Sequence, residues 1–300
     1  MVRRTFTAAL LIAVVASAVM AGKTIEFEKA WEVSGFDRPE SVKYDAERNV
    51  FYVSNVVGKS LAHDGNGFIS RVSMDGEMLD KGWITGLDAP RGMLLQGDTL
   101  WVADIDRVVV IDVKKAEVIK EHEVKGSVFL NDIDADAAGN IFVSDMKENV
   151  IFRHGAEQAE GEEFFKPWAE TTALRSPNGL YVDGDYLMVA SWGISGVPSI
   201  RVKGHLKKIS LTTGKVRKMG SGKPIGHLDG IKGTADGDYL VTDWKRDDLL
   251  LVYPSGSFTS LIGLGSGPAD LEYIPEQGMA VIPIMNTNRV VAYKKAGAEE

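Results

Sequence analysis

Six times along the chain, a short loop ending in Pro, Leu or Ala delivers one polar residue into the start of an apolar run. The six are Pro39-Glu40-Ser41-Val42, Pro90-Arg91-Gly92-Met93, Leu130-Asn131-Asp132-Ile133, Pro177-Asn178-Gly179-Leu180, Leu228-Asp229-Gly230-Ile231 and Ala269-Asp270-Leu271-Glu272. The polar residues stand at 40, 91, 131, 178, 229 and 270, in steps of 51, 40, 47, 51 and 41 residues. Each run is followed by a turn rich in Gly, Asp or Asn, such as Gln96-Gly97-Asp98 or Ala138-Gly139-Asn140. A β-rich segment comes next, such as Leu100-Trp101-Val102 or Ile141-Phe142-Val143. Turn residues between β-branched and aromatic runs mark hairpins. In three units an Asp closes this second segment (Asp104, Asp145, Asp243), and Asn55 and Ser191 stand in its place in two others.

Repeats of this length with several strands each specify an all-β fold, a six-bladed β-propeller with four antiparallel strands per blade. The last unit ends after its third strand, near Val290-Val291-Ala292-Tyr293. The alternating segment Thr24-Ile25-Glu26-Phe27-Glu28 precedes the first channel residue. It is expected to supply the missing outer strand and close the ring, hiding edges that would template aggregation. The longest insertions, 58–67, 155–165 and 193–204, are expected as surface loops, the first and third roofing one channel mouth.

Residues 1–21 read as a secretory signal: Arg3 and Arg4, the apolar run Ala8 to Val15, then small residues before a cut after Ala18 or Ala21. The domain expectation is therefore a signal peptide over 1–21 and a single propeller domain over 22–300, periplasmic or secreted. No later stretch approaches the ~20 apolar residues of a membrane span. The net charge of −8, with no long basic run, argues against nucleic-acid or anionic-membrane partners. The chain has no Cys, which removes disulfides, thiolate metal sites and cysteine nucleophiles.

First strands of propeller blades line the central channel, so Glu40, Arg91, Asn131, Asn178, Asp229 and Asp270 are predicted to face one another. Glu40, Asn131, Asn178 and Asp229 offer two carboxylates and two amide oxygens, a donor set suited to a hard divalent cation. The same side chains also suit a hydrated channel. Without a cation, the carboxylates in such a ring repel and at least one pKa rises. Arg91 either neutralises a carboxylate of the ring or holds the anionic group of a ligand. His227, two residues before Asp229, is a candidate proton shuttle or anion ligand, or simply a loop histidine. Trp192 and Trp244 end second strands and either wall a pocket or pack blade on blade.

These motifs resemble the senescence-marker/gluconolactonase/luciferin-regenerating-enzyme family of six-bladed propellers, over nearly all of residues 22–300. The matching residues are Glu40, Asn131-Asp132, Pro177-Asn178-Gly179 and Asp229-Gly230. The resemblance implies Glu40, Asn178 and Asp229 as ligands of one divalent cation, calcium first, with zinc, manganese or magnesium as alternatives. It places Asn131 beside the metal or substrate and makes Asp229 the catalytic acid–base, with Arg91, Asn131 and His227 around the substrate. The expected activity is metal-dependent hydrolysis of a lactone or related ester, the metal polarising the carbonyl. Two positions depart from the family: Ser41 follows Glu40 where Gly is usual, and Phe129 stands where a substrate-binding Arg is common. The second departure shifts the expected substrate toward apolar or aromatic lactones and esters. The short Gly-Asn turns equally resemble NHL-type repeats, which imply a non-catalytic propeller binding a small ligand or a protein partner at one channel mouth.

Overall fold

The computed structural model describes residues 25–159, 161–194 and 202–297. The expected signal segment lies outside the described residues. Six four-stranded antiparallel sheets are arranged as blades, over 39–87, 90–123, 130–170, 177–218, 228–263 and 272–295, the last completed by Phe27–Ser34. This is the six-bladed propeller that the repeat predicts. A two-stranded hairpin, Gly193–Ile194 with Val202–Lys203, is inserted between the second and third strands of blade 4.

The closing strand does what was expected, in a different register. The segment Ile25 to Glu28 was expected beside Val290 to Tyr293. Instead Phe27 and Glu28 pair with Lys295 and Lys294, and Trp31 to Val33 face Ala292 to Val290. The strand is longer than its alternating start suggested, and a bulge between Lys29 and Trp31 resets its pairing. Apolar packing sets the register, because Val33 and Trp31 join the core between blades 6 and 1.

That core is one of six, each lying between adjacent blades. Successive side chains of a strand point to opposite faces. Phe51 therefore packs toward blade 6 and Tyr52 toward blade 2, Phe142 toward blade 4 and Val143 toward blade 2. A strand buried on both faces needs a continuous apolar run, and Val50–Asn55 and Met279–Ile284 are buried throughout.

Deleting residues 22–34 removes the outer strand of blade 6 and uncovers Ala292 and Val290. The expected outcome is a clear drop in Tm and the onset of light scattering at micromolar concentration. An unchanged Tm and a monodisperse variant would show that the strand is dispensable.

Candidate functional site

In blades 1 to 5 the inner strand begins with a register shift against its neighbour. The shifts fall between Pro39 and Val42, Pro90 and Met93, Leu130 and Ile133, Pro177 and Leu180, and Leu228 and Ile231. Bulges re-aim side chains, and the polar residue of each motif sits inside the shift. Two hydrogen bonds hold it. In blades 1, 3 and 5 a hydroxyl on the second strand accepts from the following N–H: Ser54 from Ser41 at 2.9 Å, Ser144 from Asp132 at 3.0 Å, Thr242 from Gly230 at 2.9 Å. The next residue accepts from the loop that delivers the polar residue. Asn55 takes the N–H of Asp37, Asp104 those of Asp88 and Ala89, Asp145 those of Val128 and Phe129, and Asp243 that of His227. The closing Asp or Asn legible in the sequence is thus a latch. The hydroxyl before it (Ser54-Asn55, Ser144-Asp145, Thr242-Asp243) was the unread half of the signal.

Blade 4 has only Ser191 at the latch position. Its Oγ donates to Leu174 O at 2.8 Å, and the buried Lys207 ammonium donates to both groups. The glycines after the polar residues have a packing reason. A Cβ on Gly179 would stand 2.2 Å from Asp229 O, and one on Gly92 would stand 2.3 Å from Asp132 Oδ1. At the same position of blade 1, Ser41 fits because its hydroxyl donates to Asp270 Oδ2 at 2.7 Å.

Glu40, Arg91, Asn131, Asn178 and Asp229 meet in one cavity of about 290 Å³ at a channel mouth. All five are at least nine-tenths buried. The walls are Phe129, Trp192, Trp244, Met146 and Met285, with Arg38 and Ser60 at the rim. Trp192 and Trp244 stand 6.0 Å apart between ring centroids, so both wall the cavity. Arg38 and Phe129 each precede a channel residue by two positions, the spacing that would have exposed Arg38 in the sequence. The first long loop does roof the mouth, through the carbonyl of Ser60, which accepts from Arg91 Nη2 at 3.0 Å. The described start of the third, Gly193 and Ile194, lines a separate cleft with Arg175 and Ser176, and residues 195–201 lie outside the described residues.

One expected member of the ring, Asp270, and the separate candidate His227 stand elsewhere. Asp270 does not line the cavity. The sixth inner strand starts only at Glu272, and the Asp270 N–H donates to Glu40 O one level deeper. His227 does not line it either. Its Nδ1 lies 2.9 Å from Trp192 O, with the ring against the Trp192 indole.

Arg91 settles between its two readings by contact. Nη1 is 3.5 Å from Glu40 Oε1, and the guanidinium lies 4.3 Å over the Phe129 ring. Burial lowers the Arg91 pKa while Glu40 and Asp229 oppose it. Burial pushes the Glu40 carboxyl well up, with Arg91 working against the shift and Asp229 and Asp270 adding to it. Asp229 is pushed up to about 8, first by burial and then by Asp270, against the neighbouring Asn178 and Arg91.

The two ends of the channel differ in satisfaction. Deeper in, Asp132 Oδ2 accepts from Leu180 N, Asp134 Oδ2 from Val182 N, and Glu272 pairs with Lys43 at 2.9 Å. Lys232 sits half-buried among these acids. Burial alone would lower its pKa, but Asp270, Glu272, Asp132 and Asp134 outweigh it and raise it. At the mouth, by contrast, Glu40 Oε2, Arg91 Nε, Asn178 Oδ1 and Asp229 Oδ1 are buried without a hydrogen-bond partner, and below them Asp270 Oδ1 is the one deeper carboxylate oxygen in the same state.

The expected divalent-cation centre does not fit this donor set. Among the described residues, no group of three or more His, Cys, Asp or Glu side chains is placed to hold a metal ion. Of Glu40, Asn178 and Asp229 only two are carboxylates, and the Arg91 cation already sits against Glu40. Calcium, zinc, manganese and magnesium are withdrawn as cofactors. The metal-dependent lactone or ester hydrolase is withdrawn with them, since its chemistry ran through a metal-polarised carbonyl.

No protein-family model matches the chain, and no curated protein sequence matches it significantly. Solved structures do. A protein provisionally called a gluconolactonase superposes with a TM-score of 0.66 at 15% identity, over 91% of this chain and 92% of that one. A catalytically inactive virginiamycin B lyase from Staphylococcus aureus, solved with quinupristin, superposes at 0.59 with 13% identity, over 90% and 99%. A streptogramin B lyase gives 0.59 at 12%, over 91% and 100%. The fold is therefore that of the lyase and lactonase propellers, as the distant resemblance in the sequence anticipated. Likeness at this level concerns the fold alone.

A carboxyl raised in the folded state favours folding below its unfolded pKa and loses that contribution as pH rises through its folded value. For Asp229 this window runs from the ordinary value of 3.8 to about 8. Asp229→Asn should therefore raise Tm more at pH 8.5 than at pH 5, by roughly 3 °C or more at the higher pH. A gain no larger at pH 8.5 than at pH 5 would contradict this account of the mouth.

Proposed function

We propose that this protein is a non-catalytic, NHL-like propeller that binds a small molecule at the channel mouth bearing Glu40, Arg91, Asn131, Asn178 and Asp229. The observation carrying this reading is the set of orphaned polar atoms there. Buried polar groups are nearly always hydrogen-bonded, and leaving one unpaired costs about 1–3 kcal/mol. Glu40 Oε2, Asn178 Oδ1 and Asp229 Oδ1 share one cavity with Arg91 Nε, while deeper in the channel Asp132, Asp134 and Glu272 are paired and only Asp270 keeps one oxygen unpartnered. A ligand with several hydroxyl or amine donors satisfies the oxygens, and one acceptor on it satisfies Arg91 Nε. Its apolar part lies against Phe129, Trp192 and Trp244, which offer flat faces for stacking. The cavity volume of about 290 Å³ sits at the small end of ligand pockets. A protein partner would need contacts beyond so confined a mouth.

Thermal melting with a panel of amino alcohols, aromatic amines and polyols tests the reading. A ligand that binds only the folded state raises stability by about 2.7 kcal/mol at a hundredfold excess over Kd. At least one donor-rich class is expected to raise Tm, and Trp244→Ala should abolish the shift. The reading fails if only donor-free apolar compounds stabilise the protein, or if the Trp244→Ala shift equals that of the parent chain.

We also propose that the chain is exported, on the charged, apolar and small-residue order of residues 1–21. Among the described residues no helix is long and apolar enough to cross a membrane. Amino-terminal sequencing of protein recovered from the extracytoplasmic fraction should begin at Val19 or Gly22, the residues after Ala18 and Ala21. Recovery in the cytosol with residues 1–21 intact would overturn export.

A further inference from the structure

Between Asp185 and Asp229 the chain has eight Lys and Arg and no Asp or Glu, so all 42 acidic residues lie elsewhere in a protein of net charge −8. In sequence this stretch is interrupted by apolar residues and does not form a basic run. The fold gathers it. Leu206–Ser210 and Val216–Lys218 are the two outer strands of blade 4, and the Val202–Lys203 hairpin strand and the 219–227 loop flank them. Lys203, Lys215, Arg217, Lys218 and Lys223 are exposed there and Lys208 is half-exposed. Among the described residues, twenty ion pairs are distributed over the molecule and none involves these six cations.

The arrangement costs the fold stability. Lys208 faces Arg217 across the two strands, and Lys207 faces Lys218. Like charges directly opposite are destabilising. The buried Lys207 registers the field: its pKa is lowered to about 7, first by burial and then by Arg175 and Lys218. Packing explains Lys207, which latches Leu174 and Ser191. Lys208 lies 4.7 Å over the Tyr186 ring, but neither it nor the other five cations pairs with an acid among the described residues.

We infer that the outer edge of blade 4 is a docking surface for an anionic lipid bilayer, with Lys203, Lys208, Lys215, Arg217, Lys218 and Lys223 facing the headgroups. The charge is complementary to anionic lipid and opposite in sign to the rest of the protein. Its chemistry favours a fluid sheet of charge over a shaped protein partner. Five of the six cations are lysines, flexible point charges that protein interfaces use sparingly, whereas Arg and aromatic anchors mark such interfaces. The residues cover a blade rim, and none of them lines the channel-mouth cavity or the cleft beside Arg175. Each lysine held near an anionic leaflet contributes about 1 kcal/mol, fading within a Debye length. The ligand mouth lies on the channel axis, away from this rim, so the inference stands apart from the ligand-binding reading.

The test is co-sedimentation of the full chain with vesicles of 30% phosphatidylglycerol in phosphatidylcholine, against pure phosphatidylcholine. The neutral vesicles subtract any contribution of the apolar residues 8–15. Binding to the anionic vesicles is expected at 50 mM salt and its loss at 500 mM. The variant K208Q/K215Q/R217Q/K218Q should bind at least tenfold more weakly, with Tm unchanged or raised because like-charge pairs are removed. A control with the same number of charges removed from blade 2 and its exit loop, K114Q/K115Q/K120Q/K125Q, should bind like the parent. The inference is overturned if the parent does not sediment with anionic vesicles at 50 mM salt, or if both variants lose binding equally. It is also overturned if poly-glutamate or duplex DNA at equal charge displaces the protein from the vesicles completely, which would assign the rim to an acidic macromolecule.

Discussion

Each blade of this molecule is apolar on both faces, so no blade is fully buried until it has two neighbours. Six interblade cores follow from that condition, and the last of them forms only when Phe27–Ser34 pairs with Arg289–Lys295 across the whole length of the chain. Ring closure is therefore the condition on which the rest of the structure depends. It sets the spacing of the inner strands, and through them the width of the channel into which the polar motifs open.

The channel turns that rigidity into a place for function. Each latch uses a buried carboxylate or amide to hold loop N–H groups, or in blade 4 a hydroxyl to hold a loop carbonyl, and what it holds is the bulge that aims one side chain at the axis. Deeper in, Ser41 donates to Asp270, Lys43 pairs with Glu272, and the surrounding acids raise the Lys232 pKa, with one Asp270 oxygen left unpartnered. At the mouth four polar atoms lack partners, and burial drives Glu40 and Asp229 toward their neutral forms. A site whose oxygens are buried and unpaired is held in place by the surrounding hydrogen bonds and costs the fold free energy. Such a cost marks a binding site more firmly than motif matching does.

Arg91 and Phe129 show why motif matching misled at this site. The spacing of Glu40, Asn131, Asn178 and Asp229 reads as a cation-binding ring because residue types alone do not reveal what each side chain touches. In three dimensions the Arg91 guanidinium sits between the Phe129 face and Glu40, so one carboxylate is already partnered by a cation. Asp270 then drops a level, hydrogen-bonded to Ser41, and the ring of six becomes a cavity floor of five. The basic rim of blade 4 was obscured in the opposite way. Its lysines are separated in sequence and are brought together only by antiparallel pairing.

The sequence by itself determined the number of blades, the four-strand unit, the closing role of the amino-terminal strand and the five residues of the mouth. Those features are periodic, and a period of two within strands and of 40 to 51 residues between blades survives in a linear string. The tertiary structure decided the register of the closing strand, the latching role of Asp104, Asp145 and Asp243, the partner of Arg91, the walls built by Trp192 and Trp244, and the placing of His227 outside the cavity. These depend on distances between residues far apart in the chain. Hydrogen bonds and ion pairs act over about 3 Å, and only the folded ring brings such residues that close.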